Sequence, residues 1–165
     1  MRPGTLDDDT LRGFDAPDPD ADWSLPAWLY TDPEYFGVEL NRVIRPSWQI
    51  VCHETDIAVT GAFHTLDYLG ESVIAVRGSD GAIRAFHNVC RHRGSRLVDG
   101  EGGCAKVLTC PYHAWSYHAD GRLRTARGAE KQPAFEPADY GLKPVRVEIF
   151  ARHFVFFSLD PQAPS

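Results

Sequence analysis

The chain has 165 residues, 43% of them hydrophobic, and a formal net charge of −6. This length allows one domain with a buried core and a short appended segment, and it argues against two full domains. Seven aspartates and two arginines fall in the first 22 residues, so the other 143 residues carry a net charge of only −1. Without a basic surface, nucleic-acid binding is not expected, and the partner should be a protein or a small molecule.

No apolar run approaches the roughly 18 residues that a membrane span needs, and the N-terminus is acidic where a signal peptide would be basic. We therefore expect a cytoplasmic protein that does not bind a membrane. The chain has four cysteines, Cys52, Cys90, Cys104 and Cys110. In a reducing compartment these are expected to be thiols or metal ligands and not a disulfide framework.

Composition divides the chain into four predicted segments. Residues 1–26 are rich in Asp, Pro and Gly and have no apolar period, which predicts a disordered acidic arm. Residues 27–46 are predicted to be helical, and residues 47–160 to form the main domain. Residues 161–165, Pro-Gln-Ala-Pro-Ser, are expected to begin a linker.

A short amphipathic helix is predicted over Thr31–Ile44. Thr31 can cap it, Glu34 can reach back to complete a capping box, and Pro33 fits the first turn. Its apolar face is expected to contain Phe36, Leu40, Val43 and Ile44, which recur at helical spacing. Pro46 should end the helix.

From residue 47 onward, short apolar runs alternate with turns, which predicts a mainly β fold of antiparallel sheets, a sandwich or a barrel. Asp80-Gly81 and Asp120-Gly121 each separate two such runs, as in hairpin turns that need a positive φ. The eight predicted strands are Trp48–Cys52, Ala62–Leu69, Ser72–Arg77, Ala82–His87, Lys106–Thr109, Trp115–His118, Val145–Phe150 and His153–Leu159.

Two predicted loops each carry one Cys and one His: Cys90-Arg91-His92-Arg93-Gly94 and Cys110-Pro111-Tyr112-His113, with 17 residues between His92 and Cys110. Zinc sites built from two Cys and two His usually pair Cys with Cys and His with His along the chain. Mixed pairs suit a cluster of two chemically different irons, because each loop can send its Cys to one iron and its His to the other. A zinc site and a degenerate empty site remain the alternatives.

These loops resemble those of Rieske [2Fe-2S] proteins, and the wider resemblance is to the large (alpha) subunit of Rieske non-heme iron oxygenases. That family includes aromatic-ring-hydroxylating dioxygenases and demethylating monooxygenases. The resemblance covers roughly residues 27–164 and is carried by the two loops, by Ala114-Trp115-Ser116-Tyr117 and by the segment from Tyr30-Thr31-Asp32-Pro33 to Trp48. Ala114 stands where the family usually has Gly. Ser95 and Tyr112 stand where respiratory-type Rieske proteins have a disulfide.

The resemblance implies one [2Fe-2S] cluster per chain, with Cys90, His92, Cys110 and His113 as its ligands. It also implies that Trp115 and Tyr117 contact the cofactor, with the Tyr117 hydroxyl near a thiolate. Trp115 could equally fill the core beneath the cluster. No catalytic residue is expected in this chain.

The implied function is electron transfer within a ring-hydroxylating or demethylating oxygenase. A ferredoxin or flavin reductase would be the donor, and the acceptor would be a mononuclear Fe(II) that activates O2 in a neighbouring subunit of a homo-oligomer, a trimer. No set of two His and one carboxylate for that iron is visible in the sequence, so the catalytic domain is expected to be missing. The alternatives are a free-standing Rieske ferredoxin and a zinc-stabilised binding module. The substrate, aromatic or quaternary ammonium, stays open.

The other candidate residues have weaker support. Five single histidines are expected to be bystanders: His53, His64, His87, His118 and His153. Cys52 and Cys104 are expected to be ordinary thiols. Six arginines near the loops form either a basic collar for an acidic partner or a merely solvated surface; they are Arg91, Arg93, Arg96, Arg122, Arg124 and Arg127.

Overall fold

The computed structural model describes residues 27–103, 107–129 and 131–165. The predicted arm, residues 1–26, and Cys104 lie outside the described residues. The chain divides into two compact units, one ending at Pro46 and one running from Ser47 to Ser165. In the described part of the chain, no helix has the length and apolar character needed to cross a bilayer.

The described part of the first unit, residues 27–46, has three short helical pieces in succession. A 3-10 helix covers Ala27–Tyr30, the α-helix α1 covers Pro33–Glu39, and a π-helical turn covers Leu40–Ile44. The helix predicted over Thr31–Ile44 is therefore present, but its second half has a different winding.

The predicted cap of this helix was wrong by one residue. Asp32, and not Thr31, is the N-cap: its Oδ1 accepts hydrogen bonds from the backbone N–H of Glu34 at 2.9 Å and of Tyr35 at 3.0 Å. A carboxylate is among the preferred caps and also complements the positive end of the helix. Asp32 therefore takes the place that the sequence pattern gave to the Thr31 hydroxyl.

The predicted apolar face does not form one buried stripe. Within its own unit α1 has no buried residue, and Phe36 and Val43 are 52% and 59% exposed. The π-helical turn after Glu39 adds residues per turn, so positions beyond it no longer follow the 3.6-residue period. The spacing from which the stripe was predicted therefore does not hold here.

In its described residues, 47–103, 107–129 and 131–165, the second unit has ten strands, all paired antiparallel. They are β1 Gln49–His53, β2 Phe63–Tyr68, β3 Glu71–Arg77, β4 Ile83–His87, β5 Glu101–Gly102, β6 Val107–Thr109, β7 Ser116–His118, β8 Leu123–Thr125, β9 Pro144–Phe150 and β10 Phe154–Ser158. Seven form one sheet in the order β1-β10-β9-β4-β3-β2-β5, and three form a second sheet in the order β6-β7-β8. The predicted mainly β fold of antiparallel sheets is confirmed.

The two short strands β5 and β8 were not predicted. β5 is only Glu101-Gly102, and β8 is Leu-Arg-Thr with a single apolar residue. Neither has a period-2 apolar pattern, so each depends on its partner, β2 or β7, for its extended conformation.

Both Asp-Gly turns have the expected geometry. Gly81, between β3 and β4, has φ +79°, and Gly121, between β7 and β8, has φ +86°. The carboxylate of Asp80 accepts from the N–H of Ala82 at 3.1 Å, and that of Asp120 accepts from the N–H of Arg122 at 3.0 Å. The side chain before each glycine thus holds its own turn closed.

β3 is the central strand of the core, because both of its faces are buried. Val73, Ile74, Ala75 and Val76 are all 0% exposed. Ile74 and Val76 belong to one apolar cluster and Val73 and Ala75 to a second. Burial of a Val or Ile side chain stabilises a fold by about 1.5–3 kcal/mol. The first cluster also contains Cys90 and Cys110, so the two loops are built on the face of β3 that carries Ile74 and Val76.

Candidate metal centre

The first loop follows β4 and is held by a buried asparagine. Asn88 is 0% exposed. Its Nδ2 donates to the carbonyl of Val98 at 2.7 Å, and its Oδ1 accepts from the N–H of Leu97 at 3.3 Å and of Val98 at 3.2 Å. These bonds tie the start of the loop to the segment that leaves it. Sequence reasoning missed Asn88, since an isolated Asn carries no pattern that marks it as buried.

The backbone of the first loop closes on itself. The N–H of Gly94 donates to the carbonyl of Cys90 at 3.0 Å, and the N–H of Cys90 donates to the carbonyl of Ser95 at 2.7 Å. Gly94 has φ +69°, and a Cβ there would meet no atom within 4 Å. Glycine is thus needed for its backbone conformation alone.

The second loop, between β6 and β7, repeats this arrangement. The N–H of Ala114 donates to the carbonyl of Cys110 at 3.0 Å, and the N–H of Cys110 donates to the carbonyl of Trp115 at 2.8 Å. Ala114 occupies the position that corresponds to Gly94 and has φ +57°. The two loops are therefore structural repeats, and Ala114 holds a left-handed conformation that favours glycine.

The two cysteines lie side by side at the buried end of the loops. Cys90 is 2% exposed and Cys110 is 3% exposed, they belong to the same apolar cluster, and each thiol affects the pKa of the other. Burial raises the pKa of the Cys90 thiol. Burial acts in the same direction on Cys110, but the backbone N–H groups of Tyr112 and His113 donate to its sulfur, and its pKa is lowered overall. The thiolate at Cys110 is thus stabilised by the loop backbone.

Tyr117 sits directly beside the first sulfur. It is 0% exposed, and its hydroxyl oxygen lies 3.3 Å from Cys90 Sγ. The same oxygen accepts a hydrogen bond from the N–H of Arg91 at 3.0 Å, which leaves the hydroxyl hydrogen free to point at the sulfur. Burial raises the pKa of Tyr117, so the phenol keeps that hydrogen. Tyr117 can therefore act as a donor to a thiolate at Cys90.

The two histidines lie together at the other end of the loops. The ring centroids of His92 and His113 are 4.8 Å apart, and both side chains are only partly buried. The Nδ1 atoms of both rings are buried and have no hydrogen-bond partner among the described residues. A buried nitrogen without a partner costs free energy unless something binds it.

The donor set fits a [2Fe-2S] cluster of the Rieske type. Such a cluster needs two thiolates for one iron and two imidazole nitrogens for the other. Here two adjacent buried thiols and two adjacent imidazoles with orphaned nitrogens are supplied by the same pair of loops. Within the described ranges, no three or more His, Cys, Asp or Glu side chains are grouped to hold one metal ion.

Two aromatic residues flank the imidazoles. The indole of Trp115 is 3% exposed and stacks on the His92 ring, with centroids 4.8 Å apart and planes at 8°. The ring of Tyr112 contacts His113 at 3.8 Å and is 60% exposed. The buried Trp115 thus covers the His92 imidazole, while the exposed Tyr112 lies at the surface beside His113.

Four of the five remaining histidines have local side-chain partners. His53 caps the 3-10 helix Glu54–Ile57, and three others lie within 4 Å of a carboxylate. These pairs are His64 with Glu101 at 3.5 Å, His87 with Glu71 at 3.4 Å and His153 with Glu54 at 3.7 Å. That the histidines outside the two loops are bystanders to the centre stays a prediction.

The arginines around the loops are only in part available to a partner. Arg96 forms ion pairs with Asp67 at 2.8 Å and with Asp99 at 3.1 Å, and Arg122 pairs with Asp120 at 2.8 Å. Their charges are neutralised within the chain, so the proposed basic collar is weaker than the count of six arginines suggests.

Comparison with known proteins agrees with this geometry. The family model for the Rieske [2Fe-2S] domain matches residues 47–136. The carnitine monooxygenase oxygenase subunit of Escherichia coli K12 is 44% identical over 147 residues, which cover 89% of this chain and 39% of that protein. The glycine betaine monooxygenase oxygenase subunit of Pseudomonas aeruginosa PAO1 is 40% identical over 146 residues, 88% of this chain and 34% of that protein.

A solved structure shows the same fold. It is that of a quaternary ammonium Rieske monooxygenase, described in connection with carnitine oxidation and inter-subunit electron transfer. The two chains superpose with a TM-score of 0.83 at 36% sequence identity, and the match covers 90% of this chain and 40% of the other. The chain thus spans about two fifths of the length of these relatives. With more than half of its residues matched by the family model, the chain belongs to the Rieske [2Fe-2S] domain family.

Proposed function

We propose that this chain is the electron-transfer module of a Rieske oxygenase. The main support for the proposal is the difference in solvent exposure between the two ends of the centre. Its two cysteines are 2% and 3% exposed, whereas His92 and His113 are partly exposed. One end of the site is sealed from water, and the other is close enough to the surface for a partner to approach.

In this proposal the ligands are Cys90, His92, Cys110 and His113. When bound, a Rieske cluster accepts and releases single electrons without an open coordination position for O2. The chain itself supplies a dry environment for the thiolates, because Cys90 and Cys110 lie in an apolar cluster. Tyr117 supports the negative charge on Cys90 by hydrogen bonding.

The imidazole end is the proposed port for electrons. Tyr112, 60% exposed and in contact with His113, lies where a protein partner would make its first contacts. A ferredoxin or flavin reductase is the proposed donor. The proposed acceptor is the mononuclear iron of an oxygenase catalytic domain in a neighbouring subunit of a homo-oligomer, a trimer. The inter-subunit electron transfer described for the quaternary ammonium monooxygenase supports this arrangement.

The substrate class proposed for the complete enzyme is quaternary ammonium compounds such as carnitine or glycine betaine. Support comes from the names of the two relatives at 44% and 40% identity, which extend over 147 and 146 residues and so include most of this chain. The proposed reaction is then a monooxygenation, the demethylating branch of the two that the sequence leaves open.

The proposed port can be tested with two exposed tyrosines. Tyr112→Glu places a charge at the imidazole end, and Tyr30→Glu, at a site 72% exposed in the other unit, is the control. Stopped-flow reduction by a flavin reductase of the Rieske oxygenase class should slow about tenfold in Tyr112→Glu, which corresponds to about 1.4 kcal/mol of lost complementarity. Reduction of both variants by dithionite should match the wild type. Equal rates with the reductase would contradict the proposed port.

A further inference from the structure

The segment between β8 and β9 places two aromatic rings against Trp115. The Phe135 ring lies 5.7 Å from the indole at an angle of 78°, and the Tyr140 ring lies 5.6 Å away at 76°. Phe135 and Tyr140 stack on each other with centroids 4.7 Å apart. Edge-to-face contacts of this kind fix the relative orientation of rings more strongly than apolar burial alone. Phe135, Tyr140 and Trp115 are called the aromatic clamp below.

Trp115 connects this clamp to both loops. Its carbonyl accepts the hydrogen bond from the N–H of Cys110 at 2.8 Å, and its indole stacks on the ring of His92, which belongs to the other loop. A movement of Trp115 would therefore act on Cys110 through the backbone hydrogen bond and on His92 through the ring stack.

The His92 ring depends on that contact. The ring contacts recorded for His92 are the parallel stack on Trp115 and an edge contact with His113. Its buried Nδ1 has no hydrogen-bond partner among the described residues, which leaves this nitrogen for the metal. The stack on Trp115 therefore fixes the plane in which Nδ1 is presented.

We propose that Phe135 and Tyr140 are positioning residues: through Trp115 they hold the His92 imidazole in the orientation in which it binds the cluster. The proposal rests on the proposed function, because it takes His92 as a ligand. The ring contacts recorded for both residues are with Trp115 and with each other. Their effect is therefore on the orientation of His92 and on its shielding from water, and not on the identity of the donor atoms.

Four variants test the aromatic clamp. Tyr140→Leu and Phe135→Leu each remove one ring, whereas Tyr140→Phe keeps it. Tyr68→Leu is the matched control, since Tyr68 is also partly buried and makes an edge-to-face contact at 5.6 Å, with Phe157 in the other apolar cluster. The readouts are the EPR spectrum of the reduced cluster, including the hyperfine coupling to the His92 nitrogen, and the rate at which a chelator removes iron.

Tyr140→Leu and Phe135→Leu should shift the principal g-values and raise the rate of iron loss about threefold to tenfold, the size expected for the loss of the contact that each ring makes with Trp115. Tyr140→Phe and Tyr68→Leu should keep the wild-type spectrum and rate. The proposal is overturned if both leucine variants of the clamp match the wild type, if Tyr140→Phe behaves like Tyr140→Leu, or if Tyr68→Leu gives the same spectral shift. A wild-type chain without a Rieske spectrum would instead contradict the proposed function.

Discussion

The left-handed alanine in the second loop gives the sharpest quantitative prediction. Ala114 has φ +57° and is exposed, so its methyl group contributes little burial. A non-glycine residue in this conformation costs about 1–2 kcal/mol. Glycine removes that cost but loses about 0.5–1 kcal/mol through its greater freedom in the unfolded chain. Ala114→Gly should therefore stabilise the domain by about 0.5–1 kcal/mol and raise Tm by roughly 2–4 °C.

The first loop provides the reciprocal experiment. Gly94 has φ +69° and space for a Cβ, so Gly94→Ala tests the conformational cost without a clash. It should lower Tm by a similar amount. Both variants should be compared as cluster-loaded protein, with melting followed by circular dichroism and by the visible absorption of the cluster. The reasoning is refuted if Ala114→Gly lowers Tm, or if Gly94→Ala leaves it unchanged.

Three further predictions concern the sulfur end of the site and the second apolar cluster. Tyr117→Phe removes the donor that lies 3.3 Å from Cys90 Sγ. The reduction potential should therefore fall by about 40 mV, the equivalent of one neutral hydrogen bond on a one-electron couple. An unchanged midpoint in a potentiometric titration would count against this contact. Cys90→Ala should lose the cluster. Cys52→Ala also removes a buried thiol but should keep its full iron content, as measured by colorimetric analysis. Iron retained in Cys90→Ala or lost in Cys52→Ala would exclude the ligand assignment. Burial raises the pKa of Cys52 from 9.0 to about 11. The folded state thus keeps this proton while the unfolded chain loses it above pH 9, and stability should be full below pH 9 and fall by about 3 kcal/mol as the pH rises to 11. Urea unfolding should show a shallower decline in Cys52→Ala over this range, and equal slopes would show that Cys52 does not contribute.

The sequence was most informative where chemistry needs fixed residue types. The Cys and His pairs in two loops predicted a Rieske domain, because few sites combine one thiolate and one imidazole in each loop. Short apolar runs bounded by turn residues predicted the strands of the sheet, because runs of this length favour the extended conformation. In β3 the run is continuous, since both faces of that strand are buried.

The parts that sequence reasoning missed depend on tertiary contacts. β8 is extended because β7 pairs with it, and Asn88 is buried because the backbone at Leu97 and Val98 closes over it. Phe135 and Tyr140 lie more than 19 residues beyond Trp115 in a region without regular periodicity, so only the fold brings them to the indole. Their aromatic character was visible, but no local pattern connected them to the metal centre.

EPR and electron–nuclear double resonance on the anaerobically purified and reduced protein, together with iron and sulfide analysis, would show whether Cys90, His92, Cys110 and His113 bind a Rieske [2Fe-2S] cluster. We expect two irons and two sulfides per chain, one unpaired spin on reduction, and coupling to two histidine nitrogens that falls to one in His92→Cys or His113→Cys. One zinc without sulfide, or a cluster whose spectrum shows no histidine coupling, would contradict this assignment.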